Sequence, residues 1–237
     1  MNTKRWISAN SLGDVWSQYL DLVLQSGAWT VDEGDRLLEV CSVLAQIQSI
    51  ELDDPIITQF ADQDRIQLMK KKYTFCGVLP EYKISYGKLL YENDGVNQVD
   101  WVIRKLQAKR ETKSATIGLH HPGGMVLSCL SLLDFKIRNE ELLMLAVYRS
   151  QNVFASQPGN LVALHELQCQ VASALNCRVG PVELLVASAH IYERDLDSAR
   201  KIANSIRSRV HRAKSDGPGL EPFEQSQFSG VVSPEPA

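Results

Sequence analysis

The stretch that most constrains the fold runs from Cys129 to Asn160, CLSLLDFKIRNEELLMLAVYRSQNVFASQPGN. Apolar residues at about 125–135 and 141–149 predict two strands. In the first, Leu127, Cys129, Ser131, Leu133 and Phe135 share one face, because side chains alternate along a strand. The second ends in Arg149-Ser150. A Pro158-Gly159 turn follows, and it or Asn160 opens a helix whose Leu164, Leu167, Val171 and Leu175 face the core. A third strand at 182–189 leads into SAHIYERD, where His190 and Tyr192 stand two apart and so aim at the same face.

The remaining chain supplies helices. Asn10 or Ser11 caps a first helix running to Gly27, with Val15, Trp16, Tyr19, Leu20, Val23 and Leu24 at helical spacing. Residues 37–50 mix β-branched residues with alternation and read as a strand, which Asp54-Pro55 ends. Residues 60–72, rich in Asp, Gln and Lys, read as an exposed helix or loop. Ser85-Tyr86-Gly87-Lys88 reads as a turn. Val96, Val99, Ile103 and Leu106 mark an amphipathic helix, and Arg104, Lys105, Lys109, Arg110 and Lys113 gather at its end, where the helix dipole favours cations. A short strand follows at 115–120. A last helix, started by Asp195 or Asp197, carries Leu196, Ala199, Ile202, Ile206 and Val210.

With 237 residues and 44% apolar content the chain fits one domain with a full core. Residues 1–214 are expected to form it, and 215–237, rich in Pro, Gly, Ser and Glu, to be a flexible tail. A net charge of −3 gives no electrostatic case for nucleic acid or a membrane surface as partner. No apolar run approaches the ~18 residues of a spanning helix, and MNTKRWISANSL lacks a signal-peptide core. Cys41, Cys76, Cys129, Cys169 and Cys177 are odd in number and without a CxxC pair, which favours reduced thiols in a cytoplasm. His120 and His121 point to opposite faces of a strand and lack a third ligand, so no metal site is expected.

Taken alone, each polar residue has an ordinary reading. A free Cys in an apolar strand is usually an inert core thiol. Arg149-Ser150 suits a polar strand end, Asn160 a helix cap, and the basic run a solvated helix end. Together and in this order they resemble thymidylate synthase and its hydroxymethylase relatives. Cys129 with Phe135 six residues later resembles the nucleophile segment. Arg149-Ser150 with Asn160 eleven residues after the Arg resembles the phosphate and base segment. His190-x-Tyr192 ends the next strand, and Tyr86-Gly87 resembles the active-site wall.

The resemblance implies an α+β, three-layer fold around a mixed β-sheet, in a homodimer with a shared active site. It implies one-carbon transfer from 5,10-methylenetetrahydrofolate to C5 of a uracil nucleotide such as dUMP, through a covalent Cys129–C6 adduct. A pyrimidine nucleotide hydroxymethylase and a degenerate nucleotide-binding homologue are the alternatives. In that picture Arg149 stabilises the thiolate, and Arg149 and Ser150 hold the 5′-monophosphate. Asn160 reads uracil through N3–H and O4, His190 and Tyr192 bind the sugar 3′-hydroxyl, and Tyr86 orders proton movement beside the thiol. Arg110 and Lys113 reach into the partner subunit's phosphate site, and Asn152 stands where the family has an Asp near the folate ring. The chain also departs from the family. Leu127-Ser128 replaces Pro-Pro, Leu130 a His, and Lys113-Ser114 an Arg-Arg pair. The Arg-Thr-Gly-Thr phosphate loop and the Glu-Leu-Leu-Trp helix with its proton-relaying Glu have no counterpart.

Overall fold

The computed structural model describes residues 5–48, 53–120, 123 and 126–215. Strand β1 (Trp6–Ala9) leads into α1 (Leu12–Ser26). Ser11 starts that helix by accepting the Asp14 N–H, and Gly27 ends it, its N–H closing back on Val23 O. The hairpin β2 (Ala28–Asp32) and β3 (Asp35–Ile47) follows. Asp54 then caps α2 (Pro55–Phe60) and also accepts the Gly13 N–H at 2.8 Å, tying α2 to the start of α1. Next come α3 (Gln63–Thr74), α4 (Tyr86–Tyr91) and α5 (Gln98–Ala108). Strands β4 (Thr116–Gly118), β5 (Leu130–Arg138), β6 (Glu141–Tyr148) and β7 (Gln151–Asn152) precede α6 (Gln157–Ala174). The long β8 (Arg178–Tyr192) passes through a 3-10 turn into α7 (Leu196–Ser215).

The strands form one mixed sheet in the order β1-β3-β8-β6-β5-β4, with β2 paired to β3 and β7 to β8. β8 is its centre, antiparallel to β3 and parallel to β6 and β7. One sheet face is sealed: Leu142, Met144, Ala146 and Tyr148 of β6 and Val182, Leu184 and Val186 of β8 are buried. The alternate residues Leu143, Leu145 and Val147 are only half-buried, and Leu185 is exposed. Period-2 alternation therefore separates a helix-covered face from an open one.

The layers follow from α6. Its buried residues lie all around the helix, from Pro158 and Asn160 through Leu164, His165, Gln168 and Val171. A helix with no polar stripe must be covered on both sides. α6 packs on the sheet with one side and on α3 with the other, so the layers are sheet, middle helices and an outer layer around α3. Gly159 permits that contact, since a Cβ there would lie 2.7 Å from Met69 Cβ. The α+β class and the mixed sheet agree with expectation.

Several local expectations are corrected. Residues 63–74 are not an exposed segment: Ile66, Met69, Lys72 and Tyr73 of α3 are buried, because the helix roofs α6. Residues 85–88 are a helix start, with Ser85 as cap, rather than a free turn. β5 begins at Leu130, after Cys129, and its register shifts between Leu130 and Leu132. Leu127, Cys129, Ser131, Leu133 and Phe135 therefore do not share one face; Leu130, Leu133 and Phe135 are the buried ones. Asn160 does not open α6, which Ser156 and Pro158 do; Asn160 is buried within its first turn. β1, β2 and β7 were not anticipated. His121 and the tail from residue 216 lie outside the described residues.

Candidate active site

Cys129 sits where the chain enters β5, half-buried against the core. Its carbonyl accepts the Arg149 N–H at 2.9 Å, so the entry of β5 and the exit of β6 are bonded side by side. Ser128 is buried next to it, its hydroxyl donating to Leu119 O, while His120 Nε2 contacts Ser128 O at 3.0 Å. Tyr86 OH accepts the Leu130 N–H at 3.3 Å, which fixes the phenol beside the cysteine. Gly87 lets α4 lie this close, as a Cβ there would come within 2.5 Å of Phe75 O.

A buried cluster of phenols lies beside the segment that carries Cys129. Tyr73 OH and Tyr148 OH are 2.6 Å apart, and Tyr73 OH also donates to Asn160 Oδ1 at 3.3 Å. The Tyr73 and Tyr86 rings meet edge to face at 5.0 Å. Burial, first of all, pushes all three phenols well above the ordinary tyrosine value, and the charge of Cys129 adds to that push. They therefore remain neutral donors at physiological pH. Lys72 completes the cluster, its Nζ lying 3.9 Å from the Tyr82 ring centroid and 4.1 Å from that of Tyr86. Burial lowers its pKa to about 8, against a smaller upward pull from Cys129.

The second half of the site is more open. Arg149 is exposed, and its guanidinium donates to Ser128 O and Leu127 O, both at 3.1 Å, bracing the segment that carries Cys129. β7 carries the chain beyond Ser150 alongside β8, pairing Asn152 with His190. His190 and Tyr192 do share a face, with rings 5.1 Å apart. Burial lowers the His190 pKa, partly opposed by its Ser188 hydrogen bond and by Glu39 and Asp32. Because β7 follows directly on Arg149-Ser150 and pairs with Ala189 and His190, this pair lies at the end of the sheet where Arg149 leaves β6. Cys129, Tyr86, Arg149, Ser150, Asn160, His190 and Tyr192 thus converge at one end of the sheet. Arg110 and Lys113 do not join them within the chain. Arg110 pairs with Glu140 and donates to Leu175 O, at the far end of β6, about 25 Å of extended strand from Arg149.

This arrangement belongs with the comparisons to known proteins. The thymidylate synthase family model matches residues 58–225, which include every one of these residues. The chain belongs to the thymidylate synthase family. It is 26% identical to a protein of Methanococcoides burtonii, over 85% of this chain and 96% of that protein. It is 27% identical to one of Methanothermobacter thermautotrophicus over 83% of this chain and 97% of that protein, and 33% identical to one of Methanothermobacter marburgensis over 50% and 55%. All three carry the name "Putative thymidylate synthase". The chain is thus an enzyme of this family, whose chemistry is methyl or hydroxymethyl transfer to a nucleotide.

The family generally uses methylenetetrahydrofolate, and the chain offers room of the right kind. A cavity of about 340 Å³ is lined by Trp16, Phe60, Ile66 and Phe154, with Arg65 and Asp62 at α3. Its aromatic walls suit a flat ring, and its charged rim holds Arg65, paired with Asp62 at 3.8 Å, and Asp195. Asn152 Oδ1 accepts the Phe154 and Ala155 N–H groups at 3.1 and 2.9 Å, shaping the turn that walls this cavity. From Ile66, which lines the cavity, to Tyr73 of the phenol cluster the rise along α3 is about 10 Å.

Sequence reasoning missed Lys72, Tyr73 and Tyr148. Ile66, Met69 and Tyr73 do recur at helical spacing, but the surrounding Lys and Gln masked the stripe. Tyr148 directly precedes Arg149 and alternates with Ala146 and Met144, a signal that was available.

Proposed function

We propose that the protein transfers a one-carbon unit from 5,10-methylenetetrahydrofolate to C5 of a uracil nucleotide, most simply converting dUMP to dTMP. The observation that carries this reading is the linked set beside Cys129: Arg149 N–H on its carbonyl, Tyr86 OH at the next N–H, the Tyr73 ring against Tyr86, and Tyr73 bonded to Asn160. A thiol facing neutral phenols and a fixed amide suits addition to C6 of a pyrimidine held edge-on.

Each residue has a part. Cys129 Sγ bonds C6, and the displaced electron pair makes C5 nucleophilic. Asn160 accepts from N3–H and donates to O4, with Tyr73 holding its Oδ1 side. Tyr86 orders a proton path next to Leu130 N. His190, kept neutral by burial, and Tyr192 receive the sugar hydroxyl. Arg149 and Ser150 take the phosphate at the open end. The folate supplies the carbon at the oxidation level of formaldehyde and, for methylation, a hydride; Trp16, Phe60, Phe154 and Arg65, with the Asn152 turn, would hold it.

A homodimer follows from the same reading. The open sheet face carries Leu132, Leu143, Leu145, Val147 and Leu185, an apolar surface suited to a second copy. Arg110 and Lys113 would then serve the partner's phosphate site. Reduced cysteines and no helix long and apolar enough to cross a membrane among the described residues fit a cytoplasmic enzyme. Incubation with dUMP, UMP, dCMP or CMP and methylenetetrahydrofolate, followed by mass analysis of the nucleotide, tests the reading. Methylated dUMP is the expected product. A hydroxymethylated nucleotide would select the alternative activity, and no modified nucleotide would overturn one-carbon transfer.

A further inference from the structure

Among the described residues Lys72 is the one buried cation of the site, and the family resemblance assigns it nothing. It lies on α3, only 7% exposed, its Nζ wedged between the faces of Tyr82 and Tyr86. No carboxylate or hydrogen-bond partner holds it among the described residues. Burying an amine without a counterion is costly, and a chain keeps such a group where its charge or its proton is used. Arg149, another cation nearby, braces the carbonyls of Leu127 and Ser128, and a guanidinium does not release a proton.

Resting on the proposed one-carbon transfer, we propose that Lys72 is the proton carrier of this site, moving one proton between Cys129 Sγ and C5 of the base. The Lys72 amine takes the Sγ proton as the Sγ–C6 bond forms, and the C5=C6 pair moves onto C5 and O4. The ammonium then returns that proton to C5. The result is a saturated base joined to Cys129, C5 with two hydrogens, and a neutral amine. Reversal removes either C5 hydrogen to the amine, breaks Sγ–C6 and restores the thiol.

The surroundings support this task. The Lys72 amine faces the rings of Tyr82 in the following loop and of Tyr86 in α4, and the Tyr86 hydroxyl in turn meets the Leu130 N–H, one residue from Cys129. Tyr73, Tyr82, Tyr86 and Tyr148 are all raised, chiefly by burial, and so keep their protons near neutral pH. A lysine at about 8 is poised to exchange its own.

The test is exchange of the C5 hydrogen of dUMP in D2O, followed by NMR with and without tetrahydrofolate. Wild type should exchange, with a rate rising through pH 7 to about 8 and then level. Lys72→Met should lose about 100-fold or more and its rise with pH. Lys72→Arg keeps a cation between the rings, so a merely structural or electrostatic role would survive in it; proton carriage would not. Thermal melts and dUMP titration establish that at least one variant folds and binds. Full exchange in a folded, binding Lys72→Met or Lys72→Arg variant would overturn the proposal. So would a wild type that transfers the carbon yet exchanges no C5 hydrogen. A wild type that does neither overturns the proposed function itself.

Discussion

The two halves of the candidate site are built differently. On the side proposed for the base, Tyr73, Tyr86, Tyr148, Asn160 and Lys72 are buried and held together by hydrogen bonds and ring contacts among α3, α4, α6 and β6 of a single chain. On the side proposed for the phosphate, Arg149 is exposed, and Arg110 pairs with Glu140 at the other end of β6. The contrast teaches that one chain preorganises its chemistry but not its anchor. Burial fixes the orientation of neutral donors without a partner subunit, whereas a dianion needs more charge than one braced guanidinium supplies.

The largest effect lies on the buried side. Cys129→Ser should abolish turnover, because an alkoxide is far rarer than a thiolate near neutral pH. Nucleotide binding, measured by titration, should largely survive. Exchange or transfer at the wild-type rate in that variant would remove Cys129 as nucleophile.

The open side is sharpened by mixing subunits. Arg149→Ala and Arg110→Ala/Lys113→Ala chains should each be weak in activity. Their heterodimers should recover activity at one of two sites, since one site keeps both its own Arg149 and its partner's cations. A fully active monomer, or exchanging subunits without recovery, would place the whole phosphate site in one chain.

A smaller effect is expected at the base. Asn160→Asp should shift preference from uracil toward cytosine by about tenfold or more, from ~1–3 kcal/mol for one mispaired polar group. Competition between dUMP and dCMP reads this directly, and an unchanged ratio would take Asn160 out of base reading.

A further effect is on stability rather than on activity. Lys72 titrates at about 8 in the folded chain against 10.5 when free, so at pH 7 the folded state carries the full cost of its charge, about 3 kcal/mol. Between these two values the folded chain has lost the proton and the unfolded chain has not, so stability from this group rises with pH. Lys72→Met should therefore be more stable than wild type at pH 7 in denaturant titrations, and its advantage should shrink by pH 10.

Much of this was legible in the sequence, and the reasons differ by residue. α1 was readable because its cap, stripe and stop agree. His190 and Tyr192 were readable because β8 is regular where they sit. Cys129 was found by its neighbours in sequence, but its strand was misdrawn, since a register shift at the start of β5 breaks the alternation. Lys72 and Tyr73 were hidden because α3 is polar in composition yet buried on one side by α6. That burial is a tertiary fact, and local periodicity carries it only faintly. Asn160 looked like a cap because Asn is a good cap; Ser156 holds that place, which leaves the Asn160 amide for Tyr73.

The central claim is that Cys129 bonds the base. Acid quenching of the enzyme with dUMP and methylenetetrahydrofolate, followed by peptide mass analysis, tests it most directly. The account predicts a nucleotide adduct on the peptide carrying Cys129 and none on those carrying Cys41, Cys76, Cys169 or Cys177. Turnover with an adduct on another cysteine would contradict it.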